Sequence, residues 1–304
     1  MSGAIGQQVS RVDGPLKVTG AARYSGEIAL PGLAYAQIVG AEVASGRITI
    51  DTSQAERAQG VAGILTHHNT PRVNQVPLVP SLLGGPAPGE TFFPMQDDVI
   101  HYAGQPVAVV VADTLEQAQH AATLVRVSYA ETPSVTTIDQ GRADAYEPER
   151  IFGGLIPGSV RRGNVQDGLA AADLRVDASF RFAANHHNPI EALTTMAAWD
   201  GGQLTLYDSC QGIKAVQVTV AAQLGLSVSQ VRVLTRYVGG AFGSKAMVWP
   251  HVTLTAGRPA RPPAGPAHDA TRADVHLVRA PRGAGTAHPA GSDPRGQADR
   301  DPAP

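Results

Sequence analysis

The chain has 304 residues, of which 43% are hydrophobic and 16% charged, with a formal net charge of −2. That length allows about two domains, and the near-neutral balance gives no reason to expect nucleic acid or an anionic membrane as a partner. A single cysteine, Cys210, excludes an internal disulfide, an iron–sulfur cluster or a structural zinc site built by this chain alone, so any electron-transfer cluster belongs to another chain.

The N-terminus has no charged segment followed by an apolar run, so no secretory signal is expected. No stretch approaches the ~18 consecutive apolar residues of a membrane helix. The expected location is the cytoplasm, with export beside a signal-bearing partner left open. Gly84-Gly-Pro-Ala-Pro-Gly89 reads as a loop. Pro106–Ala112 is a short apolar, β-branched run and predicts a buried strand. Thr114-Leu-Glu-Gln117 matches a capping box, and Leu115, Ala118, Ala121, Ala122 and Val125 then share one helical face. Val125, Val127 and Tyr129 alternate as in a strand. From about 134 to 173 the chain is rich in loop residues and reads as a connection.

A second folded block starts near Leu174. Val176, Ala178, Phe180 and Phe182 alternate as in a half-buried strand. Met196–Trp199 predicts another, closed by a turn at Asp200-Gly201-Gly202, and Leu204, Leu206 and Asp208 a third. Val216, Val220 and Leu224 repeat every four residues, and Gly225 ends that helix. Val231, Val233 and Thr235 form a fourth strand that runs into Gly239-Gly240. Beyond residue 256 the composition breaks. Residues 257–304 hold nine Pro, eleven Ala, seven Arg and six Gly, with no Phe, Trp, Tyr, Lys or Cys. Only Val275, Leu277 and Val278 offer large apolar side chains there, too few to offset the entropy of ordering the segment. A disordered tail is one reading. The other is a GC-rich gene read out of frame from near Ala256, because Ala, Arg, Gly and Pro have the most GC-rich codons.

Two places carry chemistry. Gly239, Gly240 and Gly243 lie at the exit of a strand, where glycine permits positive φ and close approach to a ligand, and where successive N–H groups can form an anion-binding nest. The Walker order fails, since Gly243-Ser244-Lys245 is followed by Ala246, and G-x-G-x-x-G is absent from this loop. Asp208-Ser-Cys-Gln211-Gly212 lies at a strand–helix junction. A carboxamide there donates and accepts hydrogen bonds, which suits a metal-bound oxo group, although for the pentapeptide alone a simple helix N-cap by Asp208 or Ser209 is the better reading. Cys210 has no histidine beside it and reads as a packing residue. His67-His68 and His186-His187 are poor bidentate pairs, because neighbours on a strand face opposite ways. Glu191 reads as a structural hydrogen-bonding partner, Arg161-Arg162-Gly163 as a solvated loop, and Lys245 as either a cofactor contact or a surface or capping residue.

Taken in order, Arg11–Tyr24 (RVDGPLKVTGAARY), His101–Val107 (HYAGQPV) with Glu116-Gln-Ala118, His186–Glu191 (HHNPIE), Trp199-Asp-Gly201, the Gln211 segment, Val238–Lys245 (VGGAFGSK) and Trp249-Pro-His251 resemble the molybdopterin-binding subunits of the xanthine dehydrogenase and aldehyde oxidase family. The resemblance covers about residues 10–256. It implies an α+β chain: an N-terminal segment (1–16), a hammerhead-like α/β domain (17–133), a connecting segment (134–173), the start of a mixed α/β molybdopterin-binding domain (174–256), and the tail (257–304).

It further implies a molybdenum–molybdopterin cofactor, in the cytosine dinucleotide form usual in bacteria. The Gln211 position would hydrogen-bond an oxo ligand of the metal, and Gly239, Gly240, Ala241, Phe242 and Gly243 would lie against the cofactor. The implied reaction hydroxylates an electron-poor carbon of an aldehyde or N-heterocycle with water as oxygen source. Electrons would leave through [2Fe-2S] clusters to FAD, on an iron–sulfur subunit and an FAD-binding subunit. Ala241 stands where a third glycine is common, Cys210 replaces a threonine, and Ala192-Leu193 replaces a proline and histidine. Ala246 replaces the substrate-orienting glutamate of purine-oxidising members, which disfavours xanthine. The family's subunits continue well past residue 256 and carry there the general-base glutamate and most dinucleotide contacts, so this chain is expected to be truncated and inactive alone. The competing expectation is a non-catalytic remnant or a module that docks iron–sulfur or flavin partners.

Overall fold

The computed structural model describes residues 6–74, 93–151, 156–183, 185–257 and 275–279. The glycine-rich loop expected at Gly84–Gly89 lies outside them. In chain order the elements are helix α1 (Gly14–Val18), strands β1 (Leu33–Gly40), β2 (Gly46–Asp51), β3 (Val61–Thr66), β4 (Val99–Ile100) and β5 (Pro106–Ala112), helix α2 (Leu115–Leu124) and strand β6 (Arg126–Glu131). Then come α3 (Ile138–Gly141), β7 (Arg150–Ile151), β8 (Ile156–Pro157) and α4 (Val165–Ala171). The last group is β9 (Thr194–Asp200), β10 (Gln203–Asp208), α5 (Ile213–Leu224), β11 (Val231–Leu234), α6 (Pro250–Ala256) and β12 (Val275–Arg279).

Seven strands make one sheet in the order β11-β10-β9-β12-β1-β5-β3, and β4-β2-β6 make a second. β5 is the strand expected at Pro106–Ala112. It does not alternate because both its faces are covered. Ala108 and Val110 pack with Ala55, Ile64 and Ala121 under α2, while Val109 packs with Ala36, Ile38, Phe93, Met95 and Leu254 on the other side. The capping box that starts α2 is present: the Gln117 N–H donates to Thr114 Oγ1 at 3.2 Å and the Thr114 N–H to Gln117 Oε1 at 3.1 Å. The strand read at Val125–Tyr129 is β6, which leaves the large sheet to pair with β2.

The second block follows the same logic. β9 and β10 form a hairpin closed at Gly201 and Gly202, with φ of +51° and +90°, the backbone that glycine pairs supply in tight hairpins. Gly225 ends α5 in the left-handed conformation, φ +67°. Leu204, Leu206, Val216, Val220, Trp199 and Val231 form the core between this sheet and α5. α6 joins the two blocks. Its Val252 and Ala256 enter that core, Leu254 enters the one beside β5, and the Trp199 indole donates to Ala256 O at 3.0 Å.

Three features differ from the sequence reading. The strand expected over Val176–Phe182 is absent: this stretch has no regular structure, and Val176 and Phe180 are 91% and 82% exposed. Alternation specifies which face a strand buries, but no described strand hydrogen-bonds to this one. Strands β1–β4 passed unread, since β1–β3 mix small or polar residues with apolar ones and β4 is two residues long. Within the connection, α3, β7, β8 and α4 bury almost nothing, so no apolar period marked them. Of the tail, residue 257 and residues 275–279 are described, and the latter form β12, antiparallel to β9 and parallel to β1.

The Leu206 side chain is fully buried between the sheet and α5. Leu206→Ala is expected to lower unfolding free energy by about 2–5 kcal/mol, read from urea denaturation followed by far-ultraviolet circular dichroism.

Candidate functional site

The chain leaves β11 at Leu234, and Thr235 is at once tied back by its hydroxyl, which donates to Asp208 O at 2.6 Å. Around it the N-terminal run packs down: the Tyr24 and Tyr237 rings lie 5.6 Å apart, and the Lys17 ammonium sits 5.4 Å over Tyr237. At Gly239 the chain meets the segment leading into β9. The Gly239 N–H donates to Glu191 Oε2 at 2.6 Å and the Glu191 N–H to Gly239 O at 3.1 Å. A Cβ on residue 239 would lie 2.5 Å from Glu191 Cβ, so only glycine permits this approach.

The loop then turns sharply. Gly240, Phe242 and Gly243 have φ of +91°, +51° and +99°. Ala241 is outside the left-handed region, so its methyl adds no backbone strain. Phe242 does carry strain, about 1–3 kcal/mol for a non-glycine residue in this region, and its ring is 73% exposed. The N–H groups of Gly240, Ala241, Phe242 and Gly243 have no acceptor among the described residues. Four successive free donors in a turned backbone form a nest for anionic oxygens. The loop closes through Ser244, whose hydroxyl donates to Ala241 O at 2.7 Å and whose carbonyl accepts the Trp249 indole N–H at 2.6 Å.

Lys245 is fully buried, not on the surface, and does not cap a helix. Its ammonium lies 2.6 Å from Glu191 Oε2, with side-chain exposures of 0% and 11%. Removing one partner of such a buried pair costs about 3–5 kcal/mol, because the other charge is left uncompensated. The Lys245 carbonyl accepts the Gln211 N–H at 2.8 Å, so Gln211 stands beside the loop. Its carboxamide is exposed and has no partner among the described residues. Ala246, also exposed, follows at the end of the turn. Glu191 is thus a hydrogen-bonding partner, as its sequence reading has it, and the pairing with Lys245, 54 positions away, was not visible there.

The N-cap reading of the pentapeptide fails. Helix α5 is capped at Gly212 without a side-chain bond. Asp208 instead accepts from Thr195 Oγ1 at 2.5 Å, and Ser209 Oγ accepts the Thr194 N–H at 3.1 Å. Burial pushes the Asp208 carboxyl up to about 6, against hydrogen bonds from Thr195 and Cys210 and the nearby Lys245 charge. Burial and the Asp208 charge push the Cys210 thiol up to about 12, which makes it an inert packing residue; it contacts Thr235 Oγ1 at 3.3 Å. Burial holds the His251 imidazole down to about 4. His186 and His187 are exposed, and no group of three or more potential metal ligands occurs among the described residues. Arg161 is exposed and paired with Glu147.

Two family models match: the molybdopterin cofactor-binding domain over residues 145–260, and the aldehyde oxidase and xanthine dehydrogenase a/b hammerhead domain over residues 19–133. The chain belongs to the xanthine dehydrogenase and aldehyde oxidase family of molybdenum hydroxylases and matches part of its molybdopterin-binding subunit. It is 34% identical over 257 residues to the molybdenum-binding subunit PaoC of an aldehyde oxidoreductase of Escherichia coli O157:H7, covering 83% of this chain and 33% of that subunit. It is 32% identical over 248 residues to a xanthine dehydrogenase molybdenum-binding subunit of the same organism, covering 77% and 32%. The chain therefore spans about a third of the length of the curated relatives it matches. Its fold is shared with quinoline 2-oxidoreductase from Pseudomonas putida 86, with a TM-score of 0.69 at 22% identity over 92% of this chain and 35% of that one. Aldehyde oxidoreductase from Desulfovibrio gigas gives 0.63 at 23% identity over 88% and 29%.

Two buried groups make opposite contributions to acid stability. The unfolded Asp208 carboxyl ionises near 3.8 and the folded one at about 6. Between these values the folded chain holds a proton that the unfolded chain lacks, so the Asp208 contribution falls as pH rises. The unfolded His251 takes up a proton below 6.5, and the folded one only near 4, so its contribution falls as pH drops. Asp208→Asn removes the first effect alone. Its Tm is expected to fall more steeply than the parent's between about pH 6 and about pH 4.5 in differential scanning calorimetry; parallel curves would show that Asp208 ionises normally.

Proposed function

We propose that the loop and Gln211 form one wall of a molybdopterin site in a hydroxylase that oxidises an aldehyde or N-heterocycle with water as oxygen source. The observation that carries this reading is that, among the described residues, neither the four N–H groups at Gly240–Gly243 nor the Gln211 carboxamide beside them has a hydrogen-bond partner. These donors fit a cofactor that presents anionic and terminal oxygens. When bound, the molybdenum centre supplies a two-electron acceptor and a Lewis acid that activates water at neutral pH.

This chain's own residues bind and orient. The Gln211 amide and the loop N–H groups would hold the cofactor by donating hydrogen bonds to its oxygens. Gly239 and Ala241 shape the loop, and the exposed Phe242 offers an apolar surface to a bound cofactor. Lys245 spends its charge on Glu191, so the attraction for anionic oxygens comes from backbone dipoles. Ala246, exposed beside them, replaces a carboxylate and favours aldehydes or heterocycles other than purines as substrate. The cofactor is the cytosine dinucleotide form. The [2Fe-2S] clusters and FAD reside on partner subunits, in the cytoplasm. No helix among the described residues is long and apolar enough to cross a membrane.

The isolated chain is proposed to be inactive, because it spans about a third of the length of its curated relatives and none of its described residues is assigned a general-base role. The test is production in a bacterium that makes the cofactor, followed by assays for metal, pterin and dye-linked oxidation of benzaldehyde and quinoline. Pterin without turnover is expected, with pterin per chain lowered about tenfold by Gln211→Ala, equivalent to about 1.4 kcal/mol. Stoichiometric molybdenum with turnover would overturn the inactivity. Capture of iron–sulfur and flavin subunits by a pterin-free chain would favour a docking module instead.

A further inference from the structure

Among the described residues, Lys245 is the one lysine or arginine in the buried set, and it joins segments far apart in sequence. Through its carbonyl it holds the Gln211 N–H at 2.8 Å. Through its ammonium it holds Glu191 Oε2 at 2.6 Å, and that same oxygen takes the Gly239 N–H at 2.6 Å. The other carboxylate oxygen, Glu191 Oε1, is buried with no hydrogen-bond partner among the described residues. The carboxylate is therefore oriented through one oxygen, by Lys245 and Gly239 alone. Gly239 has no room for a Cβ against Glu191, so a shift of Glu191 displaces the start of the nest.

We propose that Lys245 and Glu191 are positioning residues: the pair fixes the separation between Gln211 and the Gly240–Gly243 nest, so that both walls present their free donors in one register. Neither side chain touches the ligand in this arrangement. The pair acts through the Gln211 and Gly239 backbones. That the two walls serve a pterin cofactor rests on the function proposed above; that the pair sets their register does not.

The test separates positioning from mere satisfaction of a buried charge. Amide hydrogen exchange is measured residue by residue on the full chain, with the α2 amides of Ala118–Ala121 as an internal control. Lys245→Met and Glu191→Gln are each expected to speed exchange at both Gln211 and Gly239 by about tenfold or more while α2 is unchanged. Because either single variant leaves a buried charge and is open to general unfolding, the deciding sample is the double variant Lys245→Met with Glu191→Gln, which buries no charge. Its Tm is expected to return to within a few degrees of the parent's, with exchange at Gln211 and Gly239 still fast. Return of protection along with Tm would overturn the proposal, since the pair would then only be satisfying its own charges. Unchanged exchange at Gln211 in a folded Lys245→Met chain would overturn it too. Pterin content, measured in parallel, is expected to fall with the loss of protection. A parent chain that binds no pterin but shows the exchange pattern would sink the cofactor reading and leave the positioning inference standing.

Discussion

One oxygen atom, Oε2 of Glu191, accepts both the Lys245 ammonium and the Gly239 N–H. A buried ammonium requires a counter-charge, the counter-charge must come within hydrogen-bonding distance, and that distance leaves no space for a side chain at residue 239. From there the chain must rise over the carboxylate and come back, which it does through three residues at positive φ. The free donors of the loop lie on this path: among the described residues, no carbonyl accepts the N–H groups of Gly240–Gly243. The polarity of the site is thus a consequence of how one lysine is buried.

The surroundings hold that pair in place from two sides. Thr195 Oγ1 donates to the Asp208 carboxylate, Thr235 Oγ1 to the Asp208 carbonyl, and Cys210 Sγ contacts Thr235 Oγ1, while the Trp249 indole secures the turn at Ser244. α6 then carries this end of the molecule onto the core beside β5. The hammerhead-like block is thereby part of the scaffold of the site, although none of the candidate cofactor-facing residues lies within it.

Much of this was legible in the sequence where a residue's role is local. The capping box of α2, the buried run of β5, the Gly201-Gly202 turn and the glycine stop of α5 each follow from the conformational preference of a few neighbouring residues. The glycine-rich loop and Gln211 were readable for the same reason, together with the family resemblance. What could not be read depends on distant partners. Asp208 looks like a helix cap until Thr195 is seen beside it, and Lys245 looks like a surface residue until Glu191 is. One signal was available: of the 24 basic residues, three are lysines, Lys17, Lys214 and Lys245. In an arginine-rich chain, a lysine set in a glycine-rich turn stands out as a compact point charge that a planar guanidinium does not replace. The alternation from Val176 to Phe182 misled in the opposite way. A strand needs an edge to pair with, and alternation carries no information about whether one is within reach.

β12 has a further consequence, for the order in which the molecule can assemble. It sits in the middle of the large sheet, between β9 and β1, yet it is synthesised last of the described strands. On the ribosome, β1, β3 and β5 can pair early, and β9, β10 and β11 can pair later, but the seam between the two sets stays open until the chain has grown about 75 residues past β9. At about 5–20 residues per second, that leaves two unpaired strand edges facing each other for roughly 4–15 s. Such edges are templates for pairing with other chains, so the nascent protein is most exposed to misassembly in the interval between completing the β9–β10 hairpin and delivering β12.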